Sequence, residues 1–440
     1  MAIPRWGQGA ALVLGVCLAV VTVGTAPAAS AESAPAAPAN STPTDFYAVP
    51  TPLPAGAPGD VLKSESYPPA LAVPDQVGPW PSGAQRIMYR STDAYGQAVA
   101  VTGTYFDASV PWSGGGPRPL VVLAPGTQGQ GDQCAPSKLF AEVVHYTPPL
   151  DFSVEYETIQ AYALLSRGMD VVVTDYEGLG TPGVHSYGDR RAEGYAVLDA
   201  ARAVTRLPGS RIGGDSPIGL WGYSQGGGAA ASAAELQDSY APELNIRGTY
   251  AGGVPADLRA EAVTLDGGLG TGFLGYAVNA IYAGYPETRG EIDGVTSPYG
   301  REVLDDIATQ CVTETIARYG LHRSSEWTRD GRSIAELIDA LPNVRAVVDE
   351  QRIGRLTPRS PVLIAQGRND DLVPYAQART LADDWCRLGA TVEFSIQEIP
   401  PIAPGLAVGH VLPAGTVLPY ALNWMTDRFA GVPAPSTCNV

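Results

Sequence analysis

The chain has 440 residues, 45% hydrophobic and 17% charged, enough for one large α/β domain with an inserted subdomain or for two domains. Its formal net charge is −17, and Lys63 and Lys138 are its only lysines. Such a surface repels nucleic acid and anionic membranes, which excludes both as partners.

Residues 1–31 read as a secretory signal. Arg5 supplies a positive start, Ala10 to Gly24 is apolar but short for a bilayer span, and Ala29-Ser30-Ala31 is a small-x-small cleavage site. An uncleaved anchor is the alternative. Removing the signal leaves Cys134, Cys311, Cys386 and Cys438, an even number that in an exported protein suggests two disulfides. Sequence alone permits three pairings, and no C-x-x-C spacing points to zinc or redox chemistry.

Residues 32–60, rich in Ala, Pro and Ser, read as a linker or a surface-hugging arm. A first stretch of core spans 61–254. Gln85 to Ser91 and Ala98 to Phe106 alternate around Asp93-Ala94-Tyr95-Gly96, a β-hairpin pattern. Leu120 to Ala124 is a buried strand running into Pro125-Gly126-Thr127-Gln128-Gly129. Tyr156 to Arg167 has helical period, Met169 to Thr174 is a second buried strand, and Ala192 to Leu207 is a helix closed by Pro208-Gly209.

Ile218 to Ser232 then reads as strand, sharp turn and small-residue helix. The turn Gly222-Tyr223-Ser224-Gln225-Gly226 is a G-x-S-x-G nucleophile elbow, in which a serine is exposed above the sheet on a strained strand-to-helix turn. A further strand spans Ile246 to Ala251. The alternation of buried strands and helices predicts a mainly parallel sheet with its ligand at one edge.

Residues 255–358 break this rhythm and read as a cap of about 100 residues, with helices over Tyr299 to Tyr319 and Ser333 to Leu341. The core resumes over 359–440 with the strand Pro361 to Gln366, the helix Ala376 to Leu388 and the strand Thr391 to Gln397. A Pro/Gly-rich loop carries His410, and a helix from about Val417 to Phe429 closes the chain.

A serine nucleophile needs a base, and the base an orienting acid, in the chain order Ser, Asp or Glu, His for α/β-hydrolases. His322 and His410 follow Ser224. His410 lies after the last strand, where the base belongs; His322 sits among charged residues and reads as a solvated surface histidine. His145 and His185 precede the serine and fit the base poorly; lining the site mouth is a role left open for His185. The frame Gly367-Arg368-Asn369-Asp370-Asp371-Leu372-Val373-Pro374 selects Asp370 as the acid, with Asp371 as rival; Asp175 reads as a loop brace. Oxyanion donors are expected at the backbone N–H groups of Gln225 and Thr127. No His or carboxylate cluster has ligand spacing, so neither metal nor cofactor is expected, and Asp132 reads as a loop-stabilising residue.

Together, Pro125-Gly126-Thr127-Gln128-Gly129, Cys134-Ala135-Pro136-Ser137, Asp175-Tyr176-Glu177-Gly178-Leu179-Gly180, Val197-Leu198-Asp199 with Arg202-Ala203, and the elbow resemble the secretory lipase family. This is the group of Candida-type secreted lipases and lipase A, with an actinobacterial branch. The resemblance runs from about Asp45 to the C-terminus. It implies an α/β-hydrolase fold with a largely helical cap, a triad of Ser224, Asp370 and His410, and an oxyanion donor near Thr127. It also implies the disulfides Cys134–Cys311 and Cys386–Cys438. Fungal members often carry a C-terminal flap over the acyl tunnel, whereas a short tail follows His410 here.

The function expected is a secreted serine ester hydrolase, a triacylglycerol lipase or broad carboxylesterase. It would act on a lipid or small ester, touch a lipid interface transiently, and receive an acyl chain along Gly270 to Tyr282. An acyltransferase or peptidase on the same triad is the alternative, and a non-catalytic secreted binding protein a further one. Oligomeric state is not legible.

Overall fold

The computed structural model describes residues 46–73 and 76–438. The expected signal segment, and the first part of the expected arm, lie outside the described residues.

Nine strands form one sheet. In chain order they are β1 (Val61–Ser66), β2 (Pro81–Thr92), β3 (Ala98–Ala108), β4 (Leu120–Ala124), β7 (Asp170–Glu177), β8 (Ile218–Tyr223), β9 (Ile246–Gly252), β10 (Val362–Gly367) and β11 (Val392–Gln397). The spatial order is β1-β2-β3-β7-β4-β8-β9-β10-β11. β1 to β3 are antiparallel, and β3 meets β7 antiparallel; from β7 onward every pairing is parallel. A separate hairpin pairs β5 (Val144–Thr147) with β6 (Asp151–Val154).

Both faces of the parallel part are covered, which is why its strands read as unbroken apolar runs. In β4 the period of two splits the side chains. Leu120, Val122 and Ala124 pack against α3 (Arg190–Arg206) and α4 (Gln225–Tyr240). Val121 and Leu123 join a second cluster with α2 (Glu157–Leu165) and α13 (Val408–Phe429), where Trp424, Met425 and Phe429 are buried. One short helix, α1 (Pro136–Leu139), follows β4. The N-terminus of α3 is capped by Asp189, whose carboxylate accepts from Arg191 N and Ala192 N.

Between β9 and β10 the chain is helical: α5 (Leu258–Leu265), α6 (Thr271–Gly284), α7 (Arg289–Val295), α8 (Pro298–Ile307), α9 (Val312–Tyr319), α10 (Ile334–Ala340) and α11 (Pro342–Glu350). Side chains of these helices and of Leu372 and Val373 form their own hydrophobic cluster. α12 (Tyr375–Arg387) lies between β10 and β11.

Two expected helices differ. Tyr299 to Tyr319 is two helices, broken at residues 308–311. Cys311 there is disulfide-bonded to Cys134, and Gln310 O accepts from Gln130 N and Gly131 N. This pairing fixes an extended backbone that a continuous helix forbids. The last helix starts at Val408, nine residues before its expected start, so His410 stands in its first turn rather than in a loop. Pro413 and Pro419 lie inside it. Each removes a backbone donor, which is why the sequence points past Pro413; burial of Val417, Ala421 and Met425 against the sheet offsets that loss. The second disulfide joins Cys386 of α12 to Cys438.

Candidate active site

Ser224 lies between the end of β8 and the first residue of α4, at φ 59° and ψ −126°. Positive φ is costly for a residue with a Cβ and marks stored strain. The two flanking glycines are dictated by contact. A Cβ on Gly222 would stand 2.0 Å from Gly226 O, and one on Gly226 would stand 2.0 Å from Ala124 O. The helix therefore starts directly against the end of β4, and its N-terminal partial positive charge falls beside Ser224.

Asp370 follows β10, and its side chain is fully buried. Its Oδ1 accepts from Leu372 N at 3.0 Å and Val373 N at 2.8 Å, and its Oδ2 from Gln366 Nε2 at 3.0 Å. These bonds leave Oδ2 facing His410 Nδ1 at 2.8 Å. Asp371, one residue on, points elsewhere, and both its oxygens are buried without a hydrogen-bond partner. The His410 ring lies 5.1 Å from the Tyr223 ring, centroid to centroid, and Tyr223 Oη donates to His410 O at 2.7 Å. Its Cε1 edge abuts Gly253, the residue after the Gly252 carbonyl that accepts from Ser224 N. The structure thus brings Asp370 to His410 and His410 to the elbow.

The loop carrying Thr127 is clasped from several sides. Thr127 O accepts from Tyr156 Oη at 2.7 Å, and Thr127 Oγ1 shares a 2.8 Å hydrogen bond with Tyr187 Oη. No hydrogen bond among the described residues takes up Thr127 N–H. Gln225, the other expected donor, is the first residue of α4. Its side chain faces inward, with Nε2 2.7 Å from Glu193 Oε1 and 2.9 Å from His185 Nε2. His185 Nδ1 lies 3.2 Å from Glu177 O, so Nδ1 carries the proton and Nε2 accepts from Gln225. Burial lowers His185 to about 4 and raises Glu193 to about 8, each shift favouring the neutral form.

His185 is therefore a buried support behind Gln225 and does not line the mouth. Neither it nor Glu193 was legible as such, because nothing local shows which helix packs behind the elbow. His322 is exposed and paired with Glu326, and His145 with Glu142. Asp175 accepts from Thr102 Oγ1 at 2.6 Å and from Ser137 N at 2.8 Å, and so braces the start of α1. Asp132 is exposed at the start of the short 3-10 turn that leads to Cys134. The Cys134–Cys311 disulfide, Cα to Cα 5.4 Å, clips the chain just after the Thr127 loop to the start of α9.

A cavity of about 1430 Å³, its open mouth included, begins at Ser224 and Gln225. Leu372 and Val373, beside Asp370, line it. Phe273, Leu274, Ala277, Val278 and Ile281 of α6 form much of its wall, at the i, i+4, i+8 spacing of one helix face. Ile338, Val344 and Val348 extend the apolar wall through α10 and α11. The lining is mostly apolar, with a minority of polar groups both from the core, such as Ser224 and Gln225, and from residues 255–358, such as Glu261 and Thr296, the usual character of a small-molecule pocket.

A family model for secretory lipases matches residues 145–437. The chain is 29% identical to a probable inactive lipase of Mycobacterium tuberculosis over 395 residues, 88% of this chain and 82% of that one. It is also 29% identical to a secreted triacylglycerol lipase of Malassezia furfur over 310 residues, 69% of this chain and 77% of that one. Among solved structures it is similar to Candida antarctica lipase A in its closed state, with TM-score 0.72, 25% identity, and coverage of 90% of this chain and 88% of that one. The fold is that of the α/β-hydrolases, with a large, mostly parallel sheet.

Proposed function

The chain belongs to the secretory lipase family and is a carboxylic ester hydrolase; from that premise we propose that it is an exported lipase working through Ser224, His410 and Asp370. The observation that carries this reading is the 2.8 Å bond from His410 Nδ1 to Asp370 Oδ2 beside a strained serine at the mouth of an apolar cavity.

In this mechanism Ser224 Oγ attacks the ester carbonyl carbon while His410 Nε2 takes its proton. Asp370 holds the ring with Nδ1–H toward itself and stabilises the imidazolium. The carbonyl oxygen becomes an oxyanion, which the N–H groups of Thr127 and Gln225 hold. Collapse expels the alcohol, which leaves with the proton from His410. Water then attacks the acyl-enzyme by the same route and regenerates Ser224. The acyl chain extends along α6, with residues 255–358 acting as the cap over the site. Export rests on the expected signal at residues 1–31 and on the secreted relatives.

Initial rates on p-nitrophenyl esters from C2 to C16 and on emulsified triglyceride test this reading. Wild type should hydrolyse long-chain esters, and Ser224→Ala should lose the activity while melting as wild type does. Activity retained in Ser224→Ala removes the nucleophile assignment. Activity confined to short chains makes the protein an esterase whose cavity does not take the acyl group.

A further inference from the structure

Three backbone polar atoms of the loop after β4 are held by side chains. Pro125 O accepts from Tyr176 Oη at 2.9 Å, Gly126 N donates to Glu157 Oε1 at 2.7 Å, and Thr127 O accepts from Tyr156 Oη. Two of these partners are neutral phenols. The third is a fully buried carboxyl.

Glu157 is also half of a longer connection. Its Oε2 accepts from Gln160 Nε2 at 2.7 Å, and Gln160 Oε1 accepts from Trp221 Nε1 at 2.5 Å. An indole N–H can only donate, so the Gln160 amide has one orientation, with oxygen to Trp221 and nitrogen to Glu157. Both oxygens of Glu157 are thereby committed as acceptors. Trp221 lies three residues before Ser224, and Gly126 immediately before Thr127. One chain of hydrogen bonds runs from the Thr127 loop to the strand that carries the elbow.

The sheet alone does not make this connection. Its ladder between β4 and β8 ends at Ala124 opposite Gly222, before the loop begins. Beyond that point, the side-chain hydrogen bonds on Pro125, Gly126 and Thr127, together with the backbone bond from Val312 N to Gln128 O, hold Thr127 N–H relative to Gln225 N–H. Among the described residues no cation faces Glu157; its titratable neighbours there are Glu155, Tyr156, Tyr176 and Tyr250. Burial pushes it up to about 7. A buried carboxyl without a cation is costly; an apolar residue here would remove that cost but leave Gly126 N–H and Gln160 Nε2 without their acceptor.

We propose that Glu157 is a positioning residue for ester hydrolysis: through Gly126 on one side and Gln160 and Trp221 on the other, it sets the spacing of the two N–H donors that receive the oxyanion. This rests on the reading that Thr127 and Gln225 form the oxyanion hole. Oxyanion donors act within a few tenths of an ångström, and a displacement of about 1 Å costs about 100-fold in rate.

The test is a swap. In Glu157→Gln a single carbonyl oxygen faces two N–H donors, so either Gly126 or Gln160 loses its acceptor. In the double variant Glu157→Gln/Gln160→Glu every bond returns with roles exchanged. The carbonyl at 157 accepts from Gly126, its amide donates to the carboxylate at 160, and that carboxylate accepts from Trp221. On p-nitrophenyl butyrate, Glu157→Gln should lower kcat roughly 10- to 100-fold with KM nearly unchanged, and the double variant should recover most of the loss. A Glu157→Gln kcat within about twofold of wild type, or an equal loss in single and double variants, overturns the proposal. If Glu157→Gln does not fold, Gln160→Met breaks the same relay and should lower kcat in the same sense; an unchanged kcat there also overturns it. Thr127→Pro deletes the donor N–H itself. If Thr127→Pro retains full activity, the oxyanion reading falls, independently of Glu157.

Discussion

His410 Nδ1 lies 2.8 Å from Asp370 Oδ2, whereas the carboxylate of the adjacent Asp371 is buried without a partner. The two aspartates are chemically identical neighbours. The turn that commits Asp370 Oδ1 to Leu372 N and Val373 N aims one toward the histidine and the other away.

Asp370→Asn should therefore reduce kcat by about 10³- to 10⁴-fold, because the amide favours the wrong histidine tautomer. Asp371→Asn should leave kcat within a few-fold of wild type. Stability should change little, since the Asp371 carboxylate makes no hydrogen bond among the described residues that the change would remove. Steady-state rates on one soluble ester for both variants check this, and the reverse ranking reassigns the acid.

Ala277 faces the cavity from the middle of α6. Ala277→Phe adds a ring to that wall. If the acyl chain runs along α6, activity on C12 to C16 esters should fall about 10-fold or more while C2 to C4 esters are little affected, since chain length is read through apolar contact. A uniform change across the series would place the acyl chain elsewhere.

The Cys134–Cys311 disulfide closes a loop with a sequence separation of 177 residues. Replacing both cysteines by alanine should cost about 2–5 kcal/mol of stability. Activity below the melting temperature should also fall, because the link holds the segment after the Thr127 loop. Peptide mapping without reductant should recover Cys134 joined to Cys311 and Cys386 joined to Cys438; a Cys134–Cys386 peptide would contradict the fold.

Burial raises Glu157 to about 7 and Glu193 to about 8. Acids whose folded pKa lies above the unfolded value of 4.5 contribute stability that is fully present below pH 4.5 and is lost as pH rises through 7 to 8. Glu155 and Glu261, also raised by burial, act in the same sense. His185, lowered to about 4, works oppositely: its contribution is present above pH 6.5 and lost as pH falls through 4. The acids outnumber it, so the melting temperature should be higher at pH 5 than at pH 8, by roughly 5 °C. Glu193→Gln should flatten the curve. A melting temperature that rises from pH 5 to pH 8 would show these acids to be ionised in the fold.

Local patterns in the sequence located the buried strands at Leu120–Ala124 and Ile246, the hairpin around Gly96, the helices at Ala192 and Ala376, and the sharp turn at Ser224. Each of these rests on periodicity or on a steric demand within about fifteen residues, so the chain carries its own signal. The elements that escaped are of another kind. The break between α8 and α9 exists because residues 310–312 pair with residues 128–131, and the early start of α13 exists because the sheet buries it. The frame around Asp370 favours it over Asp371, and the fold puts it 2.8 Å from His410 Nδ1; that His185 backs Gln225, and that Glu157 links Gly126 to Trp221 through Gln160, were decided by tertiary structure alone. A hydrogen bond depends on position to a fraction of an ångström, and packing of distant segments supplies that position.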